Sequence, residues 1–212
     1  MRMIDAAEIR KVLSFPILID ALEAGHRRPP LEVQDGLLGS EAAQYLVRHA
    51  VDPGRYMASK LVTSFPANLT GGRLPAVQAV CVLFDGRDGR PLALIDGTEL
   101  TYWRTAADSA LGARLLANPE PETMLVVGAG ELSRWLVRAH CAARPSLRRI
   151  LVWNRTAARA AETAAALRQE GFAAEATSDL DGATKEADLI STSSAATRRR
   201  RARRMTRRPV AA

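Results

Sequence analysis

The sequence predicts an α/β protein in two parts, an N-terminal α+β domain over residues 1–120 and a doubly wound parallel sheet over 121–197. Three observations carry this. Beyond residue 120, short apolar runs alternate with helical patterns at the spacing of parallel βαβ units. Before it, four runs rich in β-branched and aromatic residues follow one another with turn formers between them. At the junction, Asn118, Pro119 and Pro121 stop a helix and change the style of the chain.

The elements follow in order. Asp5 and Glu8 form a capping-box start for a helix to about Leu13. Pro16 opens a second helix, with Ile17, Leu18, Ala21 and Leu22 as its apolar stripe. The stretch HRRPPLEVQDGLLGS is read as irregular. Strands are expected at Tyr45–Ala50, Tyr56–Thr63, Ala76–Phe84 and Pro91–Ile95, the last two joined by the hairpin turn Asp85–Gly89, and SFPANLTGGRLP reads as a loop. A helix from about Thr101 to Ala117 has Ala107, Leu111 and Leu115 on one face. Then come the buried strand MLVVGAG, the helix ELSRWLVRAHCAA, the strand RRILVWN, an alanine-rich helix at Ala157–Gln169, and strands in GFAAEAT and ADLISTS.

Charge bounds the partners. The formal balance is +7, from 30 basic and 23 acidic residues, but eight of the arginines lie between Arg198 and Arg208. The body therefore carries no basic surface for nucleic acid, and a phosphate-binding arm is the only such role open to the tail. Cys81 and Cys141, sixty residues apart in apolar surroundings, read as reduced core residues of a cytoplasmic protein. The N-terminus has no apolar block of signal-peptide type and no stretch is apolar enough for a membrane span, so a soluble protein is expected.

Gly128-Ala129-Gly130 closes a strand and opens a helix, where a glycine turn brings backbone N–H groups to a pyrophosphate. Ser133 weakens the pattern, because glycine or alanine usually fills that third position. A tight strand–helix turn is the plain alternative. At the end of the next strand, an NAD site would place an acid on the ribose 2′-hydroxyl. This chain has Asn154, Arg155 and Thr156, which would not repel a 2′-phosphate and offer Arg155 to pair with it. That favours NADP(H), with NAD(H) as the alternative. No metal ligand set is seen.

In the first domain, Lys60 is the one lysine in a strand of small and apolar residues, and Arg104 falls in the first turn of a helix starting near Thr101. The helix dipole disfavours a cation there, so an anion shared by the guanidinium and the free N–H groups is expected. A snorkelling lysine and a solvated arginine are the ordinary alternatives.

The segments SKLVTSFPANLTGGRLPAVQAVCVLFDGRDGRPLALIDGTELT and YWRTAADSALGARLLA, with VVGAG, WNRT and STS, closely resemble the ornithine cyclodeaminase/μ-crystallin family. Its pattern K-x-V-T-x-F-P-x-N, G-x-L-P, D-G-x-x-L-T and R-T-A-A-x-S-A-L is met almost position by position, and the resemblance runs from residue 1 to about 197. It implies a substrate and dimerisation domain followed by a Rossmann-type NAD(P)-binding domain, here incomplete, in a homodimer whose first domains pair strands. It further implies that Lys60 and Arg104 bind a substrate carboxylate, that Thr105 lies near the cofactor, and that Gly128, Ala129, Gly130, Glu131 and Leu132 meet its pyrophosphate. Asn154, Arg155 and Thr156 would meet its adenosine end, and Ser191, Thr192 and Ser193 would approach the nicotinamide. A further family arginine corresponds loosely to Arg27 or Arg28.

The chemistry implied is hydride transfer between a nicotinamide and a carbon bearing nitrogen and a carboxylate. The substrate is a small imino or amino acid. Reduction of a cyclic ketimine such as Δ1-pyrroline-2-carboxylate leads, because WNRT favours NADPH. NAD-dependent ornithine cyclodeamination and an alanine dehydrogenase-like activity are alternatives. Residues 198–212 do not resemble the family, and the expectation is a frameshift or premature end replacing the natural C-terminal third. On that expectation a different reading also stands, an inactive remnant that only dimerises or binds cofactor.

Overall fold

The computed structural model of the chain describes residues 1–68 and 74–193. The middle of the SFPANLTGGRLP loop and the arginine-rich tail lie outside the described residues. The chain divides into two compact units, Met1–Ala117 with Arg138–Pro145, and Asn118–Val137 with the chain from Ser146 on.

In the first unit the elements are β1 (Arg2–Ile4), α1 (Ala6–Val12), α2 (Phe15–His26), β2 (Glu32–Ser40), β3 (Ala43–Asp52), β4 (Tyr56–Ser64), β5 (Val77–Asp85), β6 (Pro91–Asp96) and α3 (Gly97–Leu116). The strands form one sheet in the order β1-β6-β5-β4-β3-β2. All neighbours run antiparallel except β1, which lies parallel to β6. Two of these strands were not expected. β1 is too short to show a period. β2 falls in the segment read as irregular, and it pairs with β3 from Glu32↔Val51 to Ser40↔Ala43 while exposed along its whole length. An edge strand with neither face buried has no reason to alternate, and Gly36 and Gly39 hide it further.

α1 starts as its capping box requires: the Glu8 amide donates to the Asp5 carboxylate (2.8 Å) and the Glu8 carboxylate accepts from the Asp5 amide (3.4 Å). Among the buried residues are Ile9 of α1, Phe15 and Ile19 of α2, and Trp103, Ala106, Ala107, Ala110 and Leu111 of α3. The Phe15 and Trp103 rings meet at 4.7 Å. Buried Glu99 is matched in kind, accepting from Arg10 Nε (2.8 Å) and Nη2 (2.7 Å) and from Trp103 Nε1 (3.0 Å). A desolvated carboxylate is tolerated when its lone pairs are filled this way. The expected α3 stripe is corrected at its end. Ala107 and Leu111 are buried, but Leu115 is 60% exposed, since the helix runs past its support before Ala117.

The second unit contains β7 (Thr123–Val127), the start of α4 (Glu131–Ala143), β8 (Arg149–Trp153), α5 (Ala157–Gln169), β9 (Ala174–Thr177), α6 (Leu180–Glu186) and β10 (Leu189–Thr192). The four strands are parallel, in the order β10-β7-β8-β9. Met124, Leu125, Val126, Ile150, Leu151 and Val152 are buried, as a sheet covered on both faces demands of near-continuous apolar runs. On one face Leu125, Val127 and Leu151 pack with Ala183 of α6, edged by Trp153, Leu180 and Ala187. The chain steps from β7 to β8 to β9 and then returns to the other side of β7. The strand order therefore reverses between β7 and β10, and the carboxyl ends of those strands form the crevice where open α/β sheets take ligands.

No helix among the described residues is long and apolar enough to cross a membrane. Cys81 and Cys141 are free thiols, and they are half-buried rather than core.

Candidate active site

The glycine turn sits at this reversal. Gly128 follows β7, donates its N–H to Trp153 O (2.8 Å) and has φ +126. A Cβ there would lie 2.8 Å from Ser193 Oγ and 2.9 Å from Ser193 O. The fold thus requires glycine at 128 by both backbone shape and space. Gly130 differs. Its φ is not in the left-handed region, and a Cβ on it would meet nothing within 4 Å. Nothing in the described fold calls for glycine at that point, as nothing does at Gly25, Gly36 or Gly112, but here the open backbone lies in the glycine turn at the start of α4.

Ser133, read from sequence as a weakness, is fully buried. Its Oγ lies 2.9 Å from Gly128 O, 3.2 Å from Gly130 N and 2.7 Å from Ser193 Oγ. The backbone N–H groups of Ala129, Glu131 and Leu132 have no acceptor among the described residues. They belong to the turn and the first turn of α4, where the dipole favours an anion. The Glu131 carboxylate is drawn off by Arg134 (2.8 Å).

At the end of β8 the Asn154 side chain donates to Thr156 O (3.0 Å), holding its own turn. Arg155 and Thr156 are exposed. Thr156 is the N-cap of α5 but makes no side-chain capping bond, and the first turn of α5 has no acid. On β10, Ser191 is buried, Thr192 is exposed, and Ser193 turns to Ser133.

In the first unit the structure brings Lys60 and Arg104 close enough that Arg104 acts on the Lys60 ammonium. Burial first, and then the Arg104 guanidinium, hold Lys60 below the usual lysine range. On the sheet Lys60 is paired with Arg48 on one side and Cys81 on the other, so the three share a face. Arg48 is occupied by Asp35 (2.7 and 2.5 Å), but no carboxylate among the described residues pairs with Lys60. Burial raises the Cys81 thiol above its usual range.

The position of Arg104 corrects the helix argument. α3 begins at Gly97, a full turn before Thr101, because Asp96 accepts from the Glu99 amide (2.9 Å) and is the true cap. The D-x-x-E spacing of Asp96 and Glu99 carried that signal. Arg104 therefore lies beyond the first turn, where the dipole makes no demand, and its guanidinium reaches Asp108 at 3.5 Å. Its case rests on its nearness to Lys60. Thr105 is half-buried on the same helix. Arg27 pairs with Glu23 (2.5 Å) and Arg28 with Asp52 (2.9 Å), so both are engaged locally.

Residues 45–206 match the model of the ornithine cyclodeaminase/mu-crystallin family. The chain belongs to that family. The matched span begins before the first of the motifs, which opens at Lys60, and runs on past Thr197. The chain is 38% identical over 186 residues to a Delta(1)-pyrroline-2-carboxylate reductase of Paracoccus denitrificans, covering 87% of this chain and 58% of that protein. It superposes on the iminosuccinate reductase of Paracoccus denitrificans in complex with NAD+ with a TM-score of 0.74 at 29% identity, covering 91% of this chain and 61% of that one. The Delta(1)-pyrroline-2-carboxylate reductase of Thermococcus litoralis, in complex with NADH and L-proline, gives a TM-score of 0.81 at 24% identity over 91% of this chain and 61% of its own, a likeness of fold. The chain thus spans about three-fifths of the length of these relatives.

Proposed function

We propose that this family member is a nicotinamide-dependent reductase of a small cyclic imino acid, Δ1-pyrroline-2-carboxylate or its six-membered homologue. The observation that carries the reading is the set of Ala129, Glu131 and Leu132 N–H groups, without acceptors among the described residues, around the open backbone of Gly130 at the strand-order reversal. The sequence relatives named for that reduction, and the NAD+ and NADH complexes of the two structural relatives, support the same class of chemistry.

The residues fit such a cofactor. Ala129, Glu131 and Leu132 would meet its pyrophosphate through their N–H groups, with Gly128 and Gly130 keeping the backbone approachable. Asn154, Arg155 and Thr156 would meet its adenosine end, and Thr105, Ser191, Thr192 and Ser193 are assigned to its neighbourhood on the family pattern. Bound there, the cofactor supplies a hydride. The chain's own part is to bind and orient the acceptor. Lys60, half-buried with no carboxylate partner among the described residues, and Arg104 hold the substrate carboxylate and so orient the C=N carbon for hydride transfer, favouring its electrophilic iminium form by orientation. NADP(H) is the preferred form on this reading, because an uncapped α5 N-terminus free of acids beside Arg155 suits a 2′-phosphate. The exposed apolar residues of β2 and β3, Val33, Leu37, Leu38, Tyr45 and Leu46, support a homodimer formed through this sheet.

The test is turnover. Purified chain with NADPH and Δ1-pyrroline-2-carboxylate is expected to consume NADPH and form proline. Ammonia release from ornithine with no net change in the cofactor would support the cyclodeaminase alternative instead. No reaction with either, in protein that binds the cofactor, would leave a binding remnant.

A further inference from the structure

We propose that Ser133 and Ser193 form a hydroxyl relay that positions the glycine turn for a dinucleotide pyrophosphate, an inference that rests on the cofactor reading above. Ser133 has one hydroxyl proton and three polar neighbours. Gly128 O can only accept and Gly130 N can only donate, so the proton goes to Gly128 O (2.9 Å) and the oxygen accepts from Gly130 N–H (3.2 Å). The remaining contact, 2.7 Å to Ser193 Oγ, is then a donation from Ser193. With Ser193 donating, all three contacts of Ser133 are made at once, the one arrangement that leaves neither Gly128 O nor Gly130 N–H without its Ser133 partner.

Its consequence concerns direction. The relay holds the carbonyl at one end of the turn and the amide at the other against a single buried atom in the first turn of α4. The Gly130 N–H is consumed internally. The Ala129, Glu131 and Leu132 N–H groups are left to face an anion, and their orientation is fixed before one arrives. Ser193 extends the hold to the strand across the order reversal, since its own N–H donates to Val127 O at 2.9 Å. Alanine or glycine at 133 would fill the space without any of these bonds. Ser133 and Ser193 therefore act through the backbone they hold, as positioning residues.

Variants Ser133→Ala, Ser193→Ala and Ser193→Thr of the full chain test this. Two ligands are titrated: NADPH, which carries the pyrophosphate, and adenosine 2′-phosphate, which carries the adenosine end alone. Ser133→Ala is expected to weaken NADPH about tenfold, the scale of one to two lost hydrogen bonds, while adenosine 2′-phosphate changes less than about twofold. Ser193→Ala is expected to weaken NADPH about threefold, and Ser193→Thr, which keeps the hydroxyl, to restore it. In ligand-free protein the Gly130 amide exchanges faster in Ser133→Ala than in the wild type. Unchanged NADPH affinity in Ser133→Ala, or equal weakening of both ligands, overturns the inference alone. A wild-type chain that binds neither NADPH nor NADH overturns the cofactor reading and this inference with it.

Discussion

Replacing each glycine of the turn by alanine separates what the fold needs from what a ligand needs. At Gly128 the new methyl group must sit with φ at +126 and lie 2.8 Å from Ser193 Oγ and 2.9 Å from Ser193 O. Backbone strain of this kind costs about 1–3 kcal/mol, and the backbone oxygen cannot swing aside as a side chain could. A total near 3 kcal/mol corresponds to a fall in Tm of roughly 12–24 °C for a unit of this size. At Gly130 the methyl group meets open space at an ordinary φ. Alanine should then stabilise slightly, by about 0.4–1 kcal/mol, through the lost freedom of the unfolded chain. Its effect is expected in binding, with NADPH affinity falling at least about a hundredfold as the methyl occupies the place of a phosphate oxygen. Thermal denaturation and fluorescence titration read the two effects separately. A Gly130→Ala protein that binds NADPH like the wild type would refute the reasoning, since Gly130 would then have no ligand to explain it.

Three further outcomes are expected. Lys60→Met should raise Tm while lowering kcat/KM for the imino acid by about a hundredfold or more, because the lysine is placed for the substrate at a cost to the fold. The sign follows from the depressed Lys60 value: the cost of burying the ammonium is present at low and neutral pH and is relieved as pH rises toward 10.5, so the Tm gain should shrink in alkaline buffer. His140, buried and, among the described residues, bonded only through Nε2 to Ser109 Oγ (3.2 Å), is held down to about 4 by burial against an ordinary 6.5. The unfolded chain therefore takes up a proton that the folded chain refuses, and stability should be lost as pH falls from 6.5 toward 4, by on the order of 3 kcal/mol; urea unfolding of His140→Gln across that range should lack this part of the loss. Arg155→Glu should weaken NADPH by roughly 10–100-fold and leave NADH nearly unchanged, and equal weakening of both would remove the case for a 2′-phosphate.

The parallel half is the more legible from sequence because its central strands β7 and β8 are buried on both faces, so MLVV and RILVW announce themselves without neighbours. β2 could not, since its pattern is set by no core and only its pairing with β3 defines it. The start of α3 was misplaced by a turn because the apolar periodicity begins later than the cap, although Asp96 and Glu99 together carried the cap. That error gave Arg104 a dipole argument it does not have, while its real support, the approach to Lys60 from another element, is a tertiary fact with no trace in local spacing. Ser133 shows the same limit. A motif scores it as a defect, but its bonds to Gly128, Gly130 and Ser193 depend on where β10 ends. Arg144 carries no local signal in the sequence, yet its guanidinium donates to the carbonyls of Ala113 and Arg114 (2.6 Å to the latter) and closes the end of α3, where orphan carbonyls favour a cation.

The central claim, a nicotinamide dinucleotide seated on the glycine turn, is tested most directly by amide hydrogen exchange of the wild-type chain with and without NADPH. The account predicts slowed exchange at Ala129, Glu131 and Leu132, with a second protected patch over Asn154–Thr156 and little change in the sheet of the first unit. Unchanged exchange at the turn under NADPH concentrations that bind the chain would contradict it.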